Sequence, residues 1–119
     1  MAVFRLRITA GELIAIGPGK IALLESIEKT GSLTSAAKML DMSYRRAWLL
    51  LDEVNRSVKQ PAVESSKGGS RGGGSRLTEL GRQLVTLYRR IERTATRECA
   101  GDIRRLFELL SNKPAGGKT

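Results

Sequence analysis

Hydrophobic and polar positions follow two different periods along this chain, and each period predicts a different kind of element. Near the amino terminus, Phe4, Leu6 and Ile8 are separated by single polar residues. This period of two is typical of a strand with one buried face. From residue 20 onward the apolar residues recur every three or four positions, as they do in helices. The pattern predicts a short edge strand followed by a mainly helical domain.

Helical spacing is clear in the first half of the chain. A core helix is predicted over residues 20–30, and Gly31 is a typical residue at which such a helix ends. Ser32 can then cap a second, short helix over residues 33–40. The small side chains Ala36 and Ala37 in that helix permit close approach of a neighbour.

A third helix begins almost at once. Only Asp41 and Met42 precede Ser43, a good helix cap, and the segment from Ser43 to Asn55 has one apolar face. Its apolar positions have the spacing i, i+3, i+4, i+7: Ala47, Leu50, Leu51 and Val54. Two helices joined by so tight a turn form a helix-turn-helix unit.

A glycine-rich segment follows the third helix. Pro61 ends that helix, and the strand-like stretches "AVES" and "SRL" flank "SKGGSRGGG". The segment contains a single Arg-Gly-Gly step, whereas RNA-binding tails of that type usually repeat it many times. It also lacks the lysine of a phosphate-binding loop. A flexible linker fits its composition, but three cations without one acid between Ser65 and Arg76 favour the tip of a basic hairpin.

The last predicted element is a helix of some thirty residues capped by Thr78. Its apolar stripe is too long to be buried against so small a body, which argues for pairing with a second copy. Gly101 and Asp102 weaken it locally. The predicted dimerisation residues are Leu80, Leu84, Leu87, Ile91, Ala95 and Ile103. The predicted organisation is a winged domain over residues 1–77, the dimerisation helix over 78–111 and a disordered tail over 112–119.

Charge narrows the classes of partner. The 119 residues contain 21 Lys and Arg against 12 Asp and Glu, a formal net charge of +9. Such a balance favours a polyanion, with nucleic acid ahead of an anionic membrane surface. Neither a membrane-spanning run nor a signal peptide is recognisable, so a cytoplasmic protein is expected.

The same composition argues against an enzyme. There is no histidine, which removes His-dependent triads and zinc sites, and Cys99 is the only cysteine, expected to be packed within the last helix. No clustered carboxylates, phosphate loop, cofactor site, metal site or effector site is identifiable. A small enzyme is therefore a remote third possibility.

Candidate nucleic-acid contacts lie in three places. The start of the third helix carries residues that reach base edges when such a helix enters the major groove, although each also has an ordinary structural interpretation as a solvated, capping or packing residue. Hydroxyl groups near the start of the second helix are typical phosphate contacts, or caps. The candidates are Thr34, Ser35, Ser43, Tyr44, Arg45, Arg46 and Trp48, with Lys67, Arg71 and Arg76 in the hairpin.

Two quoted stretches carry a family resemblance. "GSLTSAAKMLDMSYRRAWLLLDEVN" followed by "VESSKGGSRGGGSRLTELG" resembles the winged helix-turn-helix of LysR-type regulators, and more particularly the molybdate-dependent ModE type. The resemblance implies a mainly α fold with a small antiparallel β wing over Val63 to Leu77 and a long C-terminal dimerisation helix. Asp41 stands where such turns commonly have glycine, and it can adopt the left-handed conformation at some cost.

The resemblance also defines the predicted function. Full-length ModE regulators carry C-terminal molybdate-binding domains that have no counterpart in these residues, so oxyanion sensing is not carried over. The prediction is a homodimeric, repressor-type transcription regulator that binds pseudo-palindromic double-stranded DNA sequence-specifically. The alternative is a non-specific RNA-binding or architectural protein.

Overall fold

Five helices and two small antiparallel sheets make up the described part of the chain. A computed structural model describes residues 5–11, 14–66 and 74–110. The elements in chain order are β1 (Ile8–Ala10), β2 (Ile14–Ile16), α1 (Pro18–Thr30), α2 (Leu33–Met39), α3 (Tyr44–Ser57), β3 (Val63–Ser66), β4 (Gly74–Leu77), α4 (Glu79–Glu98) and α5 (Ala100–Glu108).

Helix α1 is the centre of the core. It begins with Pro18 in its first turn, where the missing N–H of proline costs nothing, and ends at Gly31, whose φ of 83° suits a residue without a side chain. Ile21, Leu24 and Ile27 on α1 are completely buried. The predicted helix over residues 20–30 is thus confirmed, with a start two residues earlier.

The amino-terminal strand lies later than predicted. It comprises Ile8–Ala10 and pairs antiparallel with β2, with Ile8 opposite Ile16. Leu6 precedes the strand in irregular backbone, and Phe4 lies outside the described residues. The three residues of β1 are exposed, so the predicted buried face is not present in this strand.

The hairpin after α3 is confirmed in its two strands. β3 pairs antiparallel with β4, with Val63 opposite Leu77 and Ser66 opposite Gly74. Val63 and Leu77 are buried at its base, whereas Glu64 and Arg76 face solvent. The tip between the strands lies outside the described residues.

The long carboxy-terminal helix is interrupted earlier than the sequence predicts. α4 ends at Glu98 and α5 begins at Ala100, so the interruption lies at Cys99 rather than at Gly101 and Asp102. The expectation that Cys99 is packed is wrong for this chain, because its side chain is exposed. α5 buries no residue, and the predicted tail over 112–119 lies outside the described residues.

A close backbone contact joins α4 to the start of the hairpin. Thr78 caps α4 by accepting a hydrogen bond from the Gly81 N–H at 3.1 Å, and its own hydroxyl donates to the Pro61 carbonyl at 2.7 Å. The Thr78 N–H donates to the Ala62 carbonyl at 2.9 Å. A Cβ on Gly81 would lie 2.2 Å from that same carbonyl oxygen, so this position requires glycine.

Replacing Gly81 with Ala is therefore expected to destabilise the fold by about 1–3 kcal/mol, the usual cost of overpacking. Gly101→Ala is the matched control, because a Cβ there meets nothing within 4 Å. The control is expected to be neutral or stabilising by up to about 1 kcal/mol, since alanine favours helix. Urea unfolding at one fixed protein concentration measures both changes. Equal effects of the two substitutions would contradict the close contact at Gly81.

Candidate nucleic-acid interface

Hydrogen bonds fix the turn between α2 and α3 at both of its ends. The Met42 N–H donates to the Ala37 carbonyl of α2 at 2.9 Å, and the Ser43 hydroxyl accepts a bond from the Arg46 N–H of α3 at 3.0 Å. At the other end of α2, the Ser32 hydroxyl caps the helix by accepting a bond from the Ser35 N–H at 3.0 Å. Asp41 has a φ of 57°, the left-handed conformation expected there. These bonds set α3 at a defined angle to α2, so the predicted helix-turn-helix is confirmed as a structural unit.

Helix α3 has a buried face and an exposed face of contrasting chemistry. Ala47 and Val54 are fully buried against the core. At about 100° per residue, Arg45 lies near the middle of the opposite face. Arg46 lies about 100° further around the helix, toward the side that faces α1. The two neighbouring arginines therefore point in different directions.

The other predicted residues of this region are also accessible. The side chains of Tyr44 and Trp48 are 54% and 48% exposed, so Trp48 is not a core residue of this chain. Thr34 is exposed at the start of α2. The Ser35 N–H and the Ser43 hydroxyl already take part in the capping bonds.

Ion pairs distinguish the two ends of the exposed face of α3. Arg56 pairs with Asp52 at 2.9 Å near the carboxy-terminal end. Among the described residues, neither Arg45 nor Arg46 forms a side-chain hydrogen bond or an ion pair. The amino-terminal end of α3 therefore presents two guanidinium groups that can donate to an external anion or base.

The wing cations are only partly described. The Arg76 side chain pairs with Glu64 across the hairpin at 3.0 Å, which lowers its availability for another anion. Both groups are well exposed, so this pair is weak. Lys67 and Arg71 lie outside the described residues.

Two contacts that no local sequence pattern predicts attach the wing to the helix-turn-helix. The Ser75 N–H of β4 donates to the Gly31 carbonyl at 2.8 Å, between α1 and α2. The Asn55 side chain on α3 accepts bonds from the N–H groups of Ala62 at 2.8 Å and Val63 at 3.4 Å. No local sequence pattern predicts that an asparagine near a helix end accepts backbone hydrogen bonds from a following hairpin.

The predicted dimerisation residues fall into two groups. Leu80 and Leu84 are half-buried against the core of their own chain. Leu87 and Ile91 are 51% and 44% exposed further along α4. Ala95 and Ile103 are half-buried. Four large apolar side chains near the end of the described chain are also exposed: Leu106, Phe107, Leu109 and Leu110.

An ion-pair cluster fixes α4 against α1. The Arg89 guanidinium donates to both oxygens of Glu25, at 2.7 and 2.9 Å, and to Glu92 at 2.7 Å. The hydrogen bonds from Arg89 lower the pKa of Glu25, against the opposing effect of burial. The same bonds raise the pKa of Arg89. Glu25 and Arg89 are 64 positions apart, so no local pattern predicts their pairing.

Tyr88 provides a second attachment beside this cluster. Its hydroxyl donates to the Leu6 carbonyl at 2.5 Å and holds the amino-terminal segment against α4. Burial, and then the nearby Glu92 carboxylate, raise the pKa of Tyr88. The tyrosine therefore remains a neutral donor at physiological pH.

Features of other functional classes are not found in the described residues. No helix in residues 5–11, 14–66 and 74–110 is both long and apolar enough to cross a membrane. The same residues contain no group of three or more potential metal ligands.

Comparison with curated proteins gives a consistent set of relatives. The molybdenum transport protein ModE of Azotobacter vinelandii is 42% identical over 78 residues, 66% of this chain and 29% of the relative. The transcriptional regulator ModE of Haemophilus influenzae is 37% identical over 89 residues, 75% of this chain and 35% of the relative. The chain is homologous to ModE regulators. The resemblance inferred from the sequence is thus confirmed.

The homology to ModE covers a limited part of those proteins. The DNA-binding transcriptional dual regulator ModE of Escherichia coli K12 is 39% identical over 71 residues, which are 60% of this chain and 27% of the relative. The chain thus spans about a third or less of the ModE relatives it matches. No protein-family model matches it.

Solved structures of two other proteins show the same fold as this chain. The DNA-binding domain of CbnR, in a crystal structure with DNA, matches with a TM-score of 0.55 and 22% identity over 76% of this chain and 95% of that chain. FabT of Streptococcus pneumoniae, also in complex with DNA, matches with a TM-score of 0.52 and 16% identity over 82% and 64%. The fold is a winged helix-turn-helix, as the sequence predicts.

The Glu25–Arg89 pair gives a pH-dependent prediction. The pKa of Glu25 in the folded chain is below its ordinary value of 4.5. The ionised carboxylate therefore stabilises the fold at pH values above 4.5, and this stabilisation is lost as the pH falls through the folded pKa. Since the Glu25 side chain is 38% exposed, Glu25→Gln is expected to cost about 0.5–1.5 kcal/mol near neutral pH and progressively less in acid.

Unfolding free energies of the wild type and the variant between about pH 7 and about pH 3 provide the measurement. Glu28→Gln is the control, because it removes an exposed carboxylate from the same helix that makes no described ion pair. A difference between wild type and Glu25→Gln that stays constant across the range would contradict the role of this carboxylate.

Proposed function

We propose that this chain is a sequence-specific, double-stranded DNA-binding transcription regulator that acts as a homodimer. The observation that carries the proposal is the amino-terminal end of α3, where Arg45 and Arg46 are exposed and have no partner among the described residues. This end follows a tight turn and is capped by Ser43, on a chain of net charge +9. The DNA complexes of CbnR and FabT share the fold and support the proposal.

Arg45 is the residue best placed to contact a base. Its position in the middle of the exposed face directs it into the major groove when α3 enters that groove. A guanidinium can donate two hydrogen bonds to the O6 and N7 atoms of guanine. Tyr44 and Trp48, beside it, offer apolar surface to thymine methyl groups and sugars.

Phosphate contacts would fix the position of α3 on the duplex. Thr34 is an exposed residue at the start of α2, and a threonine hydroxyl commonly donates to phosphate oxygens. The wing, with Lys67, Arg71 and Arg76, would contact the flanking backbone or minor groove. Its attachment through Asn55 and Ser75 couples the position of the wing to that of α3.

The apolar face of α4 and α5 fits a second copy of the chain. Leu87 and Ile91 continue the stripe of Leu80 and Leu84 beyond the point where their own domain covers it. A two-fold pair would hide this surface and place two α3 helices on one side of the dimer. The expected target then has two half-sites about 34–36 Å apart, one turn of DNA.

The proposal also includes a non-enzymatic class of protein and a location in the cytoplasm. The ModE relatives are named as transcriptional regulators, which fits a protein without catalytic activity that acts in the bacterial cytoplasm. The Azotobacter relative is named a molybdenum transport protein, so genes for molybdenum uptake are the first targets to examine.

Selection of bound duplexes from a random pool tests the proposed function. The expected result is a pseudo-palindromic consensus with two half-sites, bound about a thousandfold or more tightly than random duplex DNA. A pool without any preferred sequence, or tighter binding of single-stranded RNA than of duplex, would overturn the proposal. Those outcomes correspond to the non-specific RNA-binding or architectural alternative.

The dimer has its own test at Ile91. Ile91→Asp introduces a charge into the proposed apolar interface and should weaken the dimer by about 2 kcal/mol or more, roughly a 30-fold rise in Kd. Thr86→Asp is the control, because Thr86 is exposed about 140° around the same helix. Sedimentation equilibrium measures both variants. A monomeric wild type, or equal weakening by both aspartates, would argue against this interface.

A further inference from the structure

A basic cleft lies between the start of α1 and the first three turns of α3. Its volume is about 280 Å³, and its lining includes Arg7, Lys20, Arg46 and Glu53. Residues 17–19 form another part of the wall, and the Arg7 side chain lies against Gly17, where a Cβ would be 3.7 Å from Arg7 Cγ. We call this feature the α1–α3 cleft.

The α1–α3 cleft carries more positive than negative charge. Lys20 Nζ lies 3.3 Å from Glu53 Oε1, and the lysine side chain is only 17% exposed. This pair holds Lys20 inside the cleft while neutralising part of its charge. Arg7 and Arg46 are exposed and form no ion pair within the described part of the chain. Two arginine side chains therefore line one opening, an arrangement suited to a small anion with several oxygen acceptors.

The position of the cleft indicates where such an anion comes from. Arg46 lies about 100° around α3 from Arg45, on the side of α1. When Arg45 faces the bases, Arg46 and the cleft face one border of the major groove. That groove is about 12 Å wide and is bordered by the two sugar-phosphate strands. The anion nearest to the cleft is then a backbone phosphate.

We propose that the α1–α3 cleft binds one phosphate of the DNA backbone at the edge of the major groove. Arg7 and Arg46 donate hydrogen bonds to the phosphate oxygens, and Lys20, held by Glu53, adds positive charge from the floor of the cleft. The inference rests on the proposed function and assigns different tasks to two neighbouring arginines. Arg45 contacts bases, whereas Arg46 fixes the position of the helix.

Salt-dependent binding by the full chain separates these tasks. Arg7→Gln and Arg46→Gln should each weaken binding to the selected duplex and to a random duplex by the same factor, and each should reduce the slope of log K against log salt by about one. Arg45→Ala should weaken binding to the selected duplex by about five- to 150-fold, with a much smaller effect on the random duplex. Arg5→Gln is the matched control, because Arg5 is an exposed arginine two positions from Arg7 and outside the cleft lining.

Neutral methylphosphonate substitutions, introduced one at a time into the selected duplex, identify the phosphate. One substitution should weaken binding by the wild type more than binding by Arg7→Gln or Arg46→Gln, because each variant already lacks one of the contacts to that phosphate. Inorganic phosphate provides the second arm. Suppose that inorganic phosphate raises the Tm of the wild type but not that of Arg7→Gln, while the salt slopes for duplex binding are the same in the variants and the wild type. The cleft then binds a free anion, and the proposal of a DNA phosphate is wrong.

The outcomes also distinguish this inference from the proposed function. If the wild type selects a duplex but the salt slopes of Arg7→Gln and Arg46→Gln equal that of the wild type, only the proposed role of the cleft is overturned. A wild type that selects no duplex overturns the proposed function itself. Circular dichroism of each variant confirms that a lost contact, and not a lost fold, causes any change in the slope.

Discussion

Burial of the apolar face of α1 is the constraint on which the rest of this fold depends. Ile21, Leu24 and Ile27 are completely hidden from solvent, and α2, α3, β4 and α4 all pack around the same helix. A domain of this size has only one core, so each neighbouring element takes its position from α1. The orientations of α3, the wing and the start of α4 are consequently set by one shared surface.

Directional polar contacts then fix what apolar packing leaves adjustable. Asn55 binds two N–H groups at the base of the wing, and the Ser75 N–H binds the Gly31 carbonyl. Arg89 joins α4 to Glu25 on α1. Hydrophobic burial is not directional, whereas hydrogen bonds specify distance and angle. These contacts convert a packed set of helices into a body whose proposed DNA-facing parts keep fixed relative positions.

Some arginines of the described residues have acidic partners within the chain, and others do not. Arg56 pairs with Asp52 and Arg82 with Glu79. Arg7, Arg45 and Arg46 form no ion pair among the described residues, and the same holds for arginines on α4 and α5 such as Arg93 and Arg105. A cation paired within its own chain must lose that partner to bind a phosphate, so unpaired arginines are the ones that gain most from contact with DNA.

The sequence by itself determined the helices, the caps at Ser32, Ser43 and Thr78, the turn at Asp41 and the hairpin strands, because these depend on residues a few positions apart. Its candidate contacts on α3 are exposed, although the sequence did not separate Arg45 from Arg46. Only the tertiary structure decided the exposure of Cys99, the requirement for Gly81 and the α1–α3 cleft. The last two depend on groups distant in sequence that meet in space, and the first depends on whether any described element covers Cys99. No local period or propensity encodes such contacts.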